Sequence, residues 1–204
     1  MSPRRPPVPP IGGRAPASAP PSQVRLIGGR WRGSKLPVPS LPGLRPSSDR
    51  VRETLFNWLQ PELAGARVLD LFAGSGALGL EAASRGAARV DFVEQAPLAV
   101  AALQAAVARL GAAEGPPMVV HAAEARAWLA HNAGPWDLVF VDPPFAAGLW
   151  PQVLAALRPR LAVPAWVYVE SPAASPAEVP AGWRRHRELR SREAHAGLYR
   201  VDTD

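Results

Sequence analysis

From Arg67 onward, short apolar runs alternate with longer stretches rich in Ala and Leu, and several of the runs end on an acidic residue. Buried strands and core-facing helices produce this pattern. The predicted order is a strand near 67–72, a helix over 77–86, a strand over 90–94, a helix over 97–110, a strand over 118–121, a helix over 123–131, a strand over 136–142, a helix over 149–158 and a strand over 165–170. Such alternation gives an α/β, Rossmann-like doubly wound architecture, a mostly parallel sheet covered on both faces. The partly alternating tail, 183–189 and 198–201, predicts an antiparallel C-terminal hairpin whose arginines either touch RNA or, the favoured account, guard a sheet edge.

The front of the chain reads differently. Two short apolar patches around Gly28, Gly29 and Gly33 predict a small β-hairpin over 24–36, with basic, glycine-rich tips that suit a surface following an RNA backbone. Ser47, Ser48 and Asp49 supply N-cap chemistry for a helix to about Leu59, with Val51, Leu55, Trp58 and Leu59 on one face and Arg50, Glu53 and Asn57 on the other. Residues 1–22 carry eight prolines among Arg, Ser and Ala, too little apolar surface to offset the entropy of ordering, and are predicted disordered. The organisation is then a tail over 1–22, a hairpin-and-helix extension over 23–62 and the main domain over 63–204.

Composition narrows the class. At 204 residues the chain is long enough for one such domain plus extensions. Cysteine is absent, which excludes disulfides and thiolate metal sites and fits a reducing cytoplasm. The histidines, at 121, 131, 186 and 195, show no ligand spacing, so no metal is expected. No run of about 18 uncharged apolar residues occurs, so no membrane partner is expected, and a monomer is the working expectation.

Net charge is +6, but its position says more: residues 1–48 hold eight basic side chains and no acid, while the remainder sums to −2. A polyanion would meet that front segment first, through phosphate contacts that release counterions. The candidate RNA contacts are Arg25, Arg30, Arg32, Lys35, Arg45, Arg50 and Arg52. A genome-wide bias accounts for 22 arginines against one lysine, though not for 48 residues without an acid. An Arg-rich, acid-free start also fits an organelle transit peptide, but so many prolines disfavour the helix such a signal uses.

Two motifs carry chemistry. Asp142-Pro143-Pro144-Phe145 closes the apolar run 138–141. An exocyclic nucleobase amine is a poor nucleophile because its lone pair is delocalised into the ring, and hydrogen-bond acceptors draw that pair toward an electrophile. Asp142 offers carboxylate oxygens and Pro143 its carbonyl. The consecutive prolines, Pro143 and Pro144, stiffen the turn, and Phe145 can stack on a base, worth about 1–3 kcal/mol. The plainer alternative is a Pro-rich turn with Asp142 as a cap and Phe145 in the core.

The second motif, 67–79, reads as strand, glycine loop, helix. Gly74 and Gly76 let a bound cofactor approach the backbone. Gly74, Gly76 and Gly79 also satisfy G-x-G-x-x-G, with Glu94 20 residues beyond Gly74, so the glycines alone do not choose between cofactors. Asp70, at the strand end just ahead of the loop, shifts the choice: a carboxylate there repels a pyrophosphate and attracts the ammonium and sulfonium of S-adenosyl-L-methionine, and Phe72 joins it as a candidate cofactor-binding residue. Glu94 can accept both hydroxyls of an adenosine ribose. Glu124, opening a helix, can meet the adenine edge, although an acid at that place also suits the helix dipole.

With these motifs in order, the segment Val24-Arg25-Leu26-Ile27-Gly28-Gly29-Arg30-Trp31-Arg32-Gly33-Ser34-Lys35-Leu36, then Leu44-Arg45-Pro46-Ser47-Ser48-Asp49-Arg50-Val51-Arg52-Glu53-Thr54-Leu55-Phe56-Asn57-Trp58-Leu59, resembles the N-terminal region of bacterial 16S ribosomal RNA guanine-N2 methyltransferases of the RsmD type. The glycine loop and the Asp-Pro-Pro-Phe turn match as well, and the resemblance runs from about Val24 to about Val201. It implies a class I methyltransferase fold, S-adenosyl-L-methionine as donor, and methylation of a guanine N2 amine in 16S ribosomal RNA; direct in-line transfer is the mechanism expected of the two motifs, with the RNA or the assembling small subunit as partner. It further implies that Asp142 and Pro143 orient the amine, that Phe145 holds the base, and that Asp70, Gly74, Gly76 and Glu94 hold the cofactor. Glu124 departs from the Asp or Asn more common in related enzymes, and residues 1–22 have no counterpart.

Three rival functions make different demands on these residues. A methyltransferase for adenine in DNA or for a protein glutamine uses a similar turn, commonly with Asn in place of Asp142 and Tyr in place of Phe145. A nicotinamide-dependent dehydrogenase fits the glycines but gives the Asp-Pro-Pro-Phe turn no role. A non-catalytic RNA-binding module has no reason to keep Asp70 and Glu94.

Overall fold

The computed structural model describes residues 23–39, 49–111 and 115–202. Its elements are β1 (Gln23–Arg25), β2 (Lys35–Pro37), α1 (Asp49–Leu59), β3 (Arg67–Asp70), α2 (Ala77–Ser84), β4 (Arg89–Glu94), α3 (Pro97–Gly111), β5 (Met118–Ala122), α4 (Ala125–His131), β6 (Trp136–Val141), α5 (Trp150–Leu157), β7 (Leu161–Pro172), β8 (Trp183–Arg190) and β9 (Ala194–Val201). Every element the periodicity predicts is present. The largest difference in length is β7, which outruns 165–170 at both ends: Leu161 pairs with Trp136 of β6, and antiparallel pairing with β9 carries the strand on to Pro172. The disordered tail over 1–22, the capping serines 47 and 48, and Arg45 lie outside the described residues.

Seven strands form one sheet in the order β5-β4-β3-β6-β7-β9-β8, parallel from β5 to β7 and antiparallel beyond. The chain steps from β3 through β4 to β5 on one side, then returns to lay β6 and β7 on the other. Loops leaving β3 and β6 therefore diverge, which opens a crevice at the carboxyl ends of the strands. Both faces are apolar, as buried parallel strands require. Val68, Phe92, Leu138, Phe140 and Tyr168 pack with α1, α2, α3 and the β1–β2 hairpin; Leu69, Val93, Val139, Val141 and Val167 pack with α4 and α5. Among the described residues no helix is long and apolar enough to cross a membrane.

The N-terminal extension helps to build one wall of the domain. Val24, Leu26, Leu36, Val38, Leu55, Phe56 and Leu59 share an apolar cluster with Leu80, Phe92 and Phe140. The buried stripe of α1 is Arg52, Leu55, Phe56 and Leu59, so the expected face is rotated: Val51 and Trp58 flank it, while Arg50, Glu53 and Asn57 are exposed as predicted.

The hairpin apex is not the free tip that its glycines suggest. Backbone N–H groups of Ile27 and Gly28 donate to the Glu81 carboxylate at 2.7 and 2.8 Å, and those of Arg30 and Trp31 donate to Ser84 at 2.8 and 2.9 Å. Gly29 adopts φ +72°, and a Cβ there would lie 1.9 Å from the Ser84 carbonyl oxygen. Gly29→Ala is therefore expected to cost more than about 1 kcal/mol, seen as a lower urea midpoint at unchanged slope. At the far end of the sheet, β8 is an edge strand guarded by charge: Arg184 pairs with Asp202 at 2.7 Å, and Arg185 and Arg190 pair with Glu188 at 3.0 and 3.5 Å.

Candidate active site

Four carboxylates arrive at the carboxyl edge of the sheet. Asp70 ends β3, Glu94 ends β4, Asp142 follows β6 and Glu170 stands near the end of β7. Val141 is in register with Val169, so Asp142 and Glu170 are the next residues on neighbouring strands. Side chains alternate along a strand, which turns both toward the α1 face, the face to which Phe140 and Tyr168 also point.

The first two acids build the glycine loop. Asp70 is 3% exposed, and its Oδ2 accepts the Gly79 N–H at 2.9 Å. Glu94 accepts the Gly74 N–H on Oε2 and the Ala96 N–H on Oε1, both at 2.8 Å, tying the loop to the start of α3. Gly76 begins α2 at φ +76°, and a Cβ on it would meet a Leu103 methyl at 2.3 Å. A carboxylate has about four lone-pair sites, so each acid retains acceptor capacity beyond these bonds. Phe72 packs against the apolar cluster on the α4–α5 face.

Across the crevice, Pro143 is buried, and the exposed Pro144 accepts the Ala147 N–H at 2.9 Å, closing a 3-10 turn over Phe145–Ala147. Phe145 is 39% exposed, with its ring centroid 6.1 Å from that of Trp150. An aromatic left this open at a strand end is poorly explained as core. Trp150 Nε1 donates to the Glu170 backbone carbonyl, and the Tyr168 hydroxyl donates to Glu170 Oε2, each at 2.8 Å.

Burial pushes the Asp142 carboxyl well above the usual carboxylate range, and the charges of Glu170 and Asp70 push it further. Asp70 is raised to about 7 by burial, restrained by the Gly79 N–H and raised again by Glu94. Burial and the neighbouring acids likewise raise the Tyr168 phenol. The charges acting on both aspartates are other carboxylates, so the crevice favours a ligand that brings positive charge. Among the described residues no group of acids and histidines is arranged to hold a metal ion.

Two sequence expectations need correcting or narrowing. Arg52 is not a surface RNA contact: it sits on the buried stripe of α1, fully enclosed, with Nη2 donating to the Arg25 carbonyl at 2.9 Å and to Asp49 at 2.7 Å. Glu124 is engaged as the N-cap of α4, accepting from the Ala127 N–H at 2.8 Å and Arg126 Nε at 3.3 Å, a geometry that supports the capping role and gives no support to an adenine contact. Arg25, Arg30, Arg32, Lys35 and Arg50 are exposed, as a phosphate-facing set must be. Glu170 is a fourth acid of this edge that the two sequence motifs do not include. The signal was present: like Asp70 and Glu94, it is an acid at the end of an apolar strand.

A sheet of this order, with an acid-flanked glycine loop on one side of the switch point and an Asp-Pro-Pro-Phe turn on the other, defines a class I methyltransferase. The family described as Conserved hypothetical protein 95 matches residues 24–200. The chain belongs to this family, the RsmD family. Ribosomal RNA small subunit methyltransferase D of Escherichia coli K12 is 48% identical over 180 residues, 87% of this chain and 89% of that one. The Haemophilus influenzae protein of the same name is 39% identical over 169 residues, 81% and 88% of the two chains. The solved yhhF protein of Escherichia coli superposes with a TM-score of 0.79 at 45% identity, covering 90% of this chain and all of its own.

Proposed function

We propose that this protein transfers a methyl group from S-adenosyl-L-methionine to the exocyclic N2 amine of a guanine in 16S ribosomal RNA, as a cytoplasmic monomer acting on the RNA or the assembling small subunit. The observation that carries the reading is the placement of the Asp142 carboxylate, beside exposed Phe145, across the switch-point crevice from the Gly74–Gly76 loop.

When bound, S-adenosyl-L-methionine supplies an electrophilic methyl on a positively charged sulfur. Asp70, Glu94 and the glycine loop fit it, because they present acceptors and negative charge, which attract its ammonium and sulfonium and repel a pyrophosphate. Asp142 accepts an N–H of the guanine amine, and the Pro143 carbonyl offers a second acceptor, turning the nitrogen lone pair toward the methyl. Phe145 carries the base face. Asp142 is favoured in its ionised form by the positive charge of the bound donor, against the burial and neighbouring acids that raise its pKa, and after transfer the surplus proton on N2 passes to that carboxylate. Alignment supplies most of the rate, and an unpaired loop nucleotide is the cheaper substrate because it is already free of its partner. Arg25, Arg30, Arg32, Lys35 and Arg50 would follow the RNA backbone.

The direct test maps N2-methylguanine in 16S RNA from cells with and without this chain, then restores it in vitro with purified protein and labelled S-adenosyl-L-methionine. One restored guanine supports the reading. Label on an adenine, on protein or on nothing overturns it.

Asp70 adds a pH signature. Its folded pKa, about 7, lies above the ordinary 3.8, so the folded chain holds a proton that the unfolded chain has lost between these values, and its stability contribution falls as pH rises through that window. A cation beside Asp70 favours the carboxylate. Affinity for S-adenosyl-L-methionine is therefore expected to weaken up to about tenfold per pH unit below about 7 and to level off above. Calorimetry in two buffers of different ionisation enthalpy should detect the proton released. A profile flat from about pH 6 to 8 would remove Asp70 from the cofactor site.

A further inference from the structure

Asp142 and Glu170 stand at the same level on adjacent strands and on the same face, and the second of them is held from two sides. The Tyr168 hydroxyl fixes Glu170 Oε2, and Trp150, the ring against which Phe145 leans, fixes its backbone carbonyl. The stacking residue and the second carboxylate are thus tied through one tryptophan. Two acids side by side in a partly buried place repel each other, and nothing in the amine chemistry assigned to Asp142 needs the second.

The edge of guanine supplies a use for both. Its Watson–Crick edge presents two adjacent donors, N1–H and the N2 amine, whereas adenine presents a bare N1 beside its amine. Flipped bases are read along this edge. We infer that Glu170 accepts the N1–H of the target guanine while Asp142 accepts its N2 amine, making the pair a guanine-selective acceptor. Adenine would set an N1 lone pair against the Glu170 carboxylate, and a site built around a donor rejects the analogue that lacks it. Glu170 is then a specificity residue of the reaction, and Tyr168 positions it. This inference rests on the proposed meeting of Asp142 with the exocyclic amine.

The test uses 16S RNA carrying guanine or 2-aminopurine at the methylated nucleotide, since 2-aminopurine keeps the C2 amine but has a bare N1. The wild-type protein should prefer guanine by at least about a hundredfold in kcat/KM. In Glu170→Gln the amide can turn its NH2 toward a bare N1, so the preference should shrink at least about tenfold while S-adenosyl-L-methionine affinity stays within about twofold. Tyr168→Phe keeps the carboxylate but releases it. It should reduce the preference by a smaller factor, which keeps the test available should Glu170→Gln fail to fold. The missing O6 of 2-aminopurine affects all proteins alike, so only the change in ratio reports on Glu170. A ratio unchanged in both variants, or equal losses on both bases, overturns the inference. Asp142→Ala separates the layers: if it retains turnover on guanine RNA, the underlying reading fails, whereas an inactive Asp142→Ala beside wild-type ratios in the other two sinks the Glu170 role alone.

Discussion

Asp142→Ala is expected to lower kcat on small-subunit RNA by about a hundredfold to a thousandfold, the scale of losing one positioned polar partner at a reacting centre. S-adenosyl-L-methionine affinity should remain within a few-fold, because the glycine loop is held by Asp70 and Glu94 through bonds to Gly79, Gly74 and Ala96 that the substitution does not touch. A less obvious outcome should accompany the loss. Burial and the charges of Glu170 and Asp70 disfavour the ionised Asp142, so its removal relieves repulsion in the folded state. The inactive variant should melt at a temperature equal to or above that of the parent, the opposition between stability and activity that strained sites show. Asp142→Asn keeps one acceptor oxygen and should fall between parent and alanine in rate. Turnover by Asp142→Ala near the parental value would refute the role assigned to the carboxylate.

The sheet was legible in the sequence because parallel strands buried on both faces must be apolar, and the runs at 67–72, 90–94 and 136–142 have that composition. The candidate site was legible for the same reason: an acid at the carboxyl end of such a run has little structural justification, and Asp70, Glu94 and Asp142 each occupy that position. Glu170 shares it, but in the sequence it lacks both the glycine loop that follows Asp70 and the spacing of 20 residues that links Glu94 to Gly74. Arg52 was misread because a basic residue in a basic segment looks solvent-facing. Its burial depends on the Arg25 carbonyl, 27 residues away in sequence, a contact that local periodicity cannot express. Glu124 was open to two readings, and its hydrogen bond to the Ala127 N–H favours the local one. The docking of the hairpin was least visible. Its anchors are Glu81 and Ser84, two polar residues in an Ala-rich helix that reach back more than 50 residues to backbone N–H groups.

Glu81→Ala is expected to destabilise the protein by about 3–5 kcal/mol, the cost of removing one partner from a buried ion pair. Glu81 is fully buried and accepts three hydrogen bonds, from the Ile27 N–H at 2.7 Å, the Gly28 N–H at 2.8 Å and Arg85 Nε at 2.7 Å. Without it, two backbone donors and a guanidinium only 11% exposed lose their acceptor together. Arg85 keeps the Gln60 side chain at 3.0 Å and the Phe56 ring at 5.3 Å, neither of which neutralises its charge. Urea unfolding should show the loss as a lower midpoint, and amide exchange at Ile27 and Gly28 should accelerate. Because the loosened hairpin carries Arg25, Arg30, Arg32 and Lys35, RNA affinity should fall more than S-adenosyl-L-methionine affinity does. Adding Arg85→Ala should recover part of the stability, since the double variant buries no orphan charge and the two residues are in direct contact. A loss below about 1 kcal/mol in Glu81→Ala, or strictly additive losses in the pair, would mean that the hairpin is held by its apolar contacts and not by this carboxylate.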